Sequence, residues 1–76
     1  MTTLEALVGG ILEVGAEHIT DDTGPATTGD WTSLRHVRIV AAVEDAYGVR
    51  LTPREARTVR SVRALRSVLK AKGLDV

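Results

Sequence analysis

The sequence predicts an all-α fold: a four-helix bundle with three longer helices, a short third helix, and a long loop between the first two. Three observations carry this expectation. Apolar residues recur at helical spacing in separate segments and nowhere alternate as in a strand. Thr52-Pro53-Arg54-Glu55 and Ser61-Val62 have the chemistry of helix starts. The chain has 76 residues, which suits one small domain spanning residues 1–76.

In the first segment Leu4, Leu7, Val8, Ile11, Leu12 and Ile19 fall on one helical face. This predicts a helix from about Thr3 to His18, with Thr2 and Glu5 at the spacing of a capping box. Gly9, Gly10 and Gly15 oppose it, at a cost of about 1 kcal/mol each relative to Ala. Either another helix approaches closely there or the helix is weak. His18 suits the negative end of that helix's dipole.

Residues 20–32, TDDTGPATTGDWT, are turn formers and predict a loop. A loop of this length in so small a domain points to function. Trp31 is its expected anchor against the bundle, because a lone Trp usually packs.

Residues 33–47 predict the second helix, closed by Gly48. Leu34, Val37, Val40, Ala41 and Tyr47 lie near one face, and Ile39 and Val43 widen the stripe. Such a wide arc means either a central helix or one that turns apolar surface toward a partner. The third helix runs from Pro53 to about Thr58, with Thr52 as cap, Pro53 at the first position and Glu55 at the third. Ser61 caps the fourth, from Val62 to about Lys72, with Val62, Leu65, Val68 and Leu69 inward and Gly73 closing it.

Composition narrows the function. The chain has no cysteine, so it has neither a disulfide nor a thiolate metal site, and His18 and His36 alone cannot build a zinc site. A domain this small has little room for a substrate cleft, which favours a binding module over an enzyme. No apolar run reaches the length of a membrane span, and no secretory signal is visible, so the expectation is a cytoplasmic monomer.

Net charge is zero but unevenly spread: residues 1–31 carry six acids and no Lys or Arg, and residues 50–72 carry eight bases against Glu55. Arg54, Arg57, Arg60, Arg63 and Arg66 are the best case for nucleic acid. However, spacing of three drifts around a helix, and only one Trp and one Tyr are present for base stacking. A solvated flank over the core is the better account.

The informative segment is Asp30-Trp31-Thr32-Ser33-Leu34-Arg35-His36-Val37. A helix start offers unpaired N–H groups and partial positive charge, which suit an anion, and Arg35 and Arg38 add to it. The simplest reading makes Thr32 or Ser33 the N-cap. Ser33 and His36, three apart, could also pair as nucleophile and base, but no nucleophile elbow or orienting acid accompanies them.

The run W-x-S-L-x-x-V-x-I-V-x-x-V-E-D-x-Y-G-V-x-L from Trp31 to Leu51 resembles the acyl carrier protein family. Thr32-Ser33-Leu34 stands at that family's D-S-L position. Val37, Ile39, Val40, Val43, Glu44, Tyr47, Gly48 and Val49 follow in register, and Ala56, Val59 and Val62 match its later A-x-x-I-x-x-V run. Helix count and the long first loop agree as well. The resemblance implies that Ser33 bears a 4′-phosphopantetheine arm, transferred from coenzyme A by a phosphopantetheinyl transferase. The arm's thiol would carry acyl or aminoacyl groups between an acyl-loading or adenylating enzyme or acyltransferase and a downstream synthase or transferase. It also implies that Thr32, Leu34, Arg35, His36, Val37, Arg38, Ala41 and Val59 border the surface that partners meet.

Two departures shape this reading. Thr32 replaces the usual Asp, as peptidyl carrier domains also lack an acid there. The second helix opens with Arg35, His36 and Arg38 where the family is usually acidic, which implies dedicated partners. With Trp31 and His36, the chain looks most like discrete carriers of polyketide, nonribosomal-peptide or related secondary metabolism. The alternatives are a helical adaptor that uses Ser33 only as a cap and, behind it, a nucleic-acid-binding domain.

Overall fold

The computed structural model describes residues 3–76. It is all-helical: α1 (Leu4–Leu12), a 3₁₀ turn (Ala16–His18), α2 (Ser33–Tyr47), α3 (Pro53–Thr58) and α4 (Val62–Ala71). No strand occurs among the described residues.

The first helix is shorter than its apolar spacing predicts. Glu13 adopts the left-handed conformation, with φ 61° and ψ 38°, and its N–H returns to the Gly9 carbonyl. Val14 N–H donates to the same carbonyl at 2.9 Å. The chain then folds back over Gly9, where a Cβ would stand 2.8 Å from the Val14 carbonyl oxygen. Gly9 is therefore explained by close approach of its own chain rather than of another helix. Gly10 faces open space and simply weakens α1. The cap of α1 is Thr3, whose hydroxyl accepts from Ala6 N–H at 3.1 Å. The Thr2 arm of the expected capping box lies outside the described residues, and Glu5 pairs with Arg66 instead. His18 ends the 3₁₀ turn, exposed, and so does not serve the end of α1.

Helices α2, α3 and α4 start where their caps predict. Thr52 and Glu55 form a complete capping box around Pro53, and Ser61 Oγ accepts from Ala64 N–H at 3.1 Å. Gly48 closes α2 with φ 66°, a conformation that costs a side-chain-bearing residue about 1–2 kcal/mol.

The core is one cluster: Leu4, Val8 and Leu12 from α1, Ile19 and Trp31 from the loop, Ile39 and Val43 from α2, Val59 from the α3–α4 link, and Val62, Leu65 and Leu69 from α4. Each such side chain contributes roughly 1.5–3 kcal/mol by burial. The inward stripe of α2 differs from the expected one. Ile39 and Val43, one turn apart, are fully buried, whereas Leu34, Val37 and Ala41 face outward. Val68 and Tyr47 are half-buried at the edge of the cluster.

The uneven charge is largely resolved by folding. The acidic first third pairs with basic residues from the rest of the chain: Glu5 and Asp21 with Arg66, Asp22 with Arg63, and Glu13 and Asp30 with Arg35. The Arg66 pair holds the Glu5 carboxyl below its ordinary range, chiefly through the direct hydrogen bond.

The loop from Ile19 to Thr32 is ordered by its threonines. Thr23 Oγ1 accepts from Thr20 N–H and Thr27 Oγ1 from Gly24 N–H, both at 2.9 Å. Carbonyls of Thr23 and Asp21 then accept the first-turn N–H groups of Val62 and Arg63 on α4, each at 2.9 Å. Gly24 is buried where the loop crosses that junction. A Cβ there would stand 2.1 Å from the Arg60 carbonyl oxygen.

Candidate functional site

Ser33 is the first residue of α2, and the residue before it performs the capping. Thr32 has extended backbone, φ −83° and ψ 170°, and its hydroxyl accepts from Arg35 N–H at 3.3 Å. Among the described residues, no hydrogen bond involves Ser33 Oγ, and the residue is exposed. Of the two candidate caps the structure selects Thr32, and the hydroxyl of Ser33 remains uncommitted at the positive end of a helix of 15 residues.

Ser33 lies on the rim of a groove of about 360 Å³, with Trp31, His36 and Val37 on one side and Arg57, Val59 and Arg60 on the other. Trp31 is buried, as expected of a loop anchor, and its indole N–H donates to His36 Nδ1 at 3.1 Å. An indole can only donate, so Nδ1 is the acceptor and the imidazole is neutral with its proton on Nε2. That Nε2–H donates to the Ala56 carbonyl at 2.8 Å. The sequence Trp31–His36–Ala56 thus links the long loop, α2 and α3. With both ring nitrogens committed, His36 does not act as a base toward Ser33 in this arrangement.

The residues expected at a partner surface divide into two groups. Leu34 and Val37 are 63% and 65% exposed, and Thr32, Arg38 and Ala41 are exposed with them. Arg35 turns away. Its guanidinium bonds Glu13 at 2.8 Å and the Asp30 carbonyl at 3.2 Å, and so holds the end of α1 to the loop. His36 is occupied as described. Val59, expected at the partner surface, is instead fully buried, because the chain turns there from α3 into α4 and drives the side chain into the core.

Arg57 and Arg60 are the contribution that sequence reasoning missed. It treated them as part of a solvated flank, and the only signal was their spacing. Their place opposite Ser33 depends on how the α3–α4 link packs against α2. Among the described residues they have no carboxylate partner, nor do Arg38, Arg50, Arg54 and Lys70, whereas Arg35, Arg63, Arg66 and Lys72 all do. No group of three or more His, Asp or Glu side chains among the described residues could hold a metal ion, and no helix among them is long and apolar enough to cross a membrane. No family model and no curated protein matches the chain.

Proposed function

We propose that the protein is a discrete acyl carrier, with Ser33 as the attachment point of a 4′-phosphopantetheine arm. The observation that carries this is the division of labour at the start of α2: Thr32 caps, so Ser33 Oγ is exposed and free for another enzyme to modify. The residues fit the group. A phosphodiester on Ser33 would sit at the first turn of a long helix, where N–H groups and the helix dipole favour an anion. Arg57 and Arg60 line the same groove and add cationic charge toward it. When bound, the arm supplies a thiol that carries acyl groups as thioesters, which a chain without cysteine cannot supply itself.

In this reading the protein performs no chemistry of its own. Thr32 and the Trp31–His36–Ala56 link hold the start of α2 in place. Ser33 presents its hydroxyl to a phosphopantetheinyl transferase. Leu34, Val37 and Ala41 offer apolar contact to that enzyme, to a loading enzyme and to a downstream synthase. The resemblance of the Trp31–Leu51 run supports a role in polyketide, nonribosomal-peptide or related biosynthesis, in the cytoplasm and as a monomer. The alternative is a helical adaptor without a prosthetic group, in which Ser33 carries nothing and Thr32 alone caps α2.

Intact mass spectrometry after incubation with coenzyme A and a broad-specificity transferase tests the proposal. The wild type should gain the mass of one phosphopantetheine group, and Ser33→Ala should gain none while remaining folded. A wild type that stays unmodified overturns the reading.

A further inference from the structure

The structure sorts the cations of this chain into two sets. Arg35, Arg63, Arg66 and Lys72 are tied to carboxylates and hold the bundle together. Arg38, Arg50, Arg54, Arg57, Arg60 and Lys70 have no carboxylate partner among the described residues, and all six are exposed. Three of the second set, Arg38, Arg57 and Arg60, stand around Ser33. Arg57 and Arg60 share a groove with Ser33 and Val37, and Arg38 stands one helical turn beyond Leu34.

Beside these three are the exposed Leu34 and Val37, the latter lining the groove with Arg57 and Arg60. An apolar pair flanked by uncompensated guanidiniums has the make-up of a protein interface: contact in the middle, steering charge at the rim. Asp30, three residues before Ser33, is already turned to Arg35 at 3.8 Å. Asp45 lies about 10 Å further along α2 from Arg38, at the far end of the face. Glu55, on α3, is bonded to Thr52 N–H and Lys72. The field around Ser33 is therefore positive.

We infer that the Ser33 face docks an acidic protein surface, one whose carboxylates ring an apolar receptacle for Leu34 and Val37. A partner with a basic rim is repelled, since like charges brought together across an interface cost several kcal/mol. The inference rests on the carrier reading in one respect, that other proteins must come to Ser33. Nucleic acid is also acidic, but it gains nothing from Leu34 and Val37 in the patch, so a protein is the better occupant.

The test uses synthetic amphipathic helices with a leucine stripe flanked by glutamates in one version and lysines in the other, and a short DNA duplex. Each is titrated into the full chain while backbone amide shifts are followed. The glutamate helix should bind, move the amides of Leu34, Val37, Arg57 and Arg60, and weaken as salt rises. Arg57→Glu with Arg60→Glu should weaken it about tenfold or more, and Leu34→Ser with Val37→Ser by a similar factor. Equal or tighter binding of the lysine helix, shifts that map elsewhere, no binding of the glutamate helix, or tighter binding of DNA to the same residues overturns the inference. The intact-mass experiment separates the two readings. A protein that is modified but ignores the glutamate helix keeps its carrier role and loses this docking surface. One that binds the helix but is never modified does the reverse.

Discussion

The indole N–H of Trp31 meets Nδ1 of His36 at 3.1 Å, and the far side of the same imidazole holds the Ala56 carbonyl at 2.8 Å. One neutral side chain thereby joins the end of the long loop and the start of α2 to α3, twenty residues further on, next to the serine that the carrier reading depends on.

Breaking that link should be costly. His36→Ala leaves a buried indole N–H and the Ala56 carbonyl without partners, and an unsatisfied buried group costs about 1–3 kcal/mol. Urea denaturation followed by circular dichroism should show that loss. The fluorescence of Trp31, the only tryptophan, should report a changed environment even before unfolding.

Thr32→Ala and Ser33→Ala should differ sharply in stability. Removal of a Thr cap costs about 0.5–2 kcal/mol, while an exposed residue with no bonds changes stability by about 0.5 kcal/mol or less. Equal losses in denaturant melts would contradict the assignment of the cap to Thr32.

The glycines give a second contrast. Gly10→Ala adds a methyl to open space inside α1 and should stabilise by about 1 kcal/mol. Gly24→Ala drives a methyl into the Arg60 carbonyl and should destabilise by about 1–3 kcal/mol. Thermal melts of the two variants should move in opposite directions.

Acid should weaken the bundle in part through Glu5. Its folded carboxyl titrates below the ordinary 4.5, chiefly because Arg66 donates to it. A group lowered in the folded state stabilises above its unfolded value, and that contribution is lost as pH falls through the folded one. Wild type and Glu5→Gln should therefore differ most at neutral pH. The gap should close as pH drops below 4.5, which paired denaturation curves across pH will show.

The two faces of α2 should respond very differently to truncation. Ile39→Ala removes a fully buried side chain and should cost about 2–5 kcal/mol. Leu34→Ala should leave stability nearly unchanged and, if the outward face meets the transferase, slow modification of Ser33.

These contrasts mark what the sequence could and could not reveal. The starts of α3 and α4 were legible because a cap is local chemistry: Thr52 with Glu55, and Ser61, carry their own instructions. The end of α1 was not, because a left-handed Glu13 and a fold-back over Gly9 leave no periodic trace. The inward stripe of α2 was ambiguous for a different reason. Apolar residues surround much of that helix, and only packing against α1 and into the shared core chooses Ile39 and Val43 over Leu34 and Val37. At the site, Ser33 stood out from its motif, but its freedom depended on which neighbour capped the helix. Arg57 and Arg60 reach the groove through the turn at Val59, a tertiary fact that spacing does not encode.

The two loop carbonyls that cover the start of α4 have a consequence for motion. First-turn amides of a helix ordinarily lack partners and exchange their hydrogens readily with water. The amides of Val62 and Arg63 are instead closed by Thr23 and Asp21, some forty residues earlier in the chain. Their exchange rates therefore become a clock for the opening of the long loop, readable without any label on the loop itself.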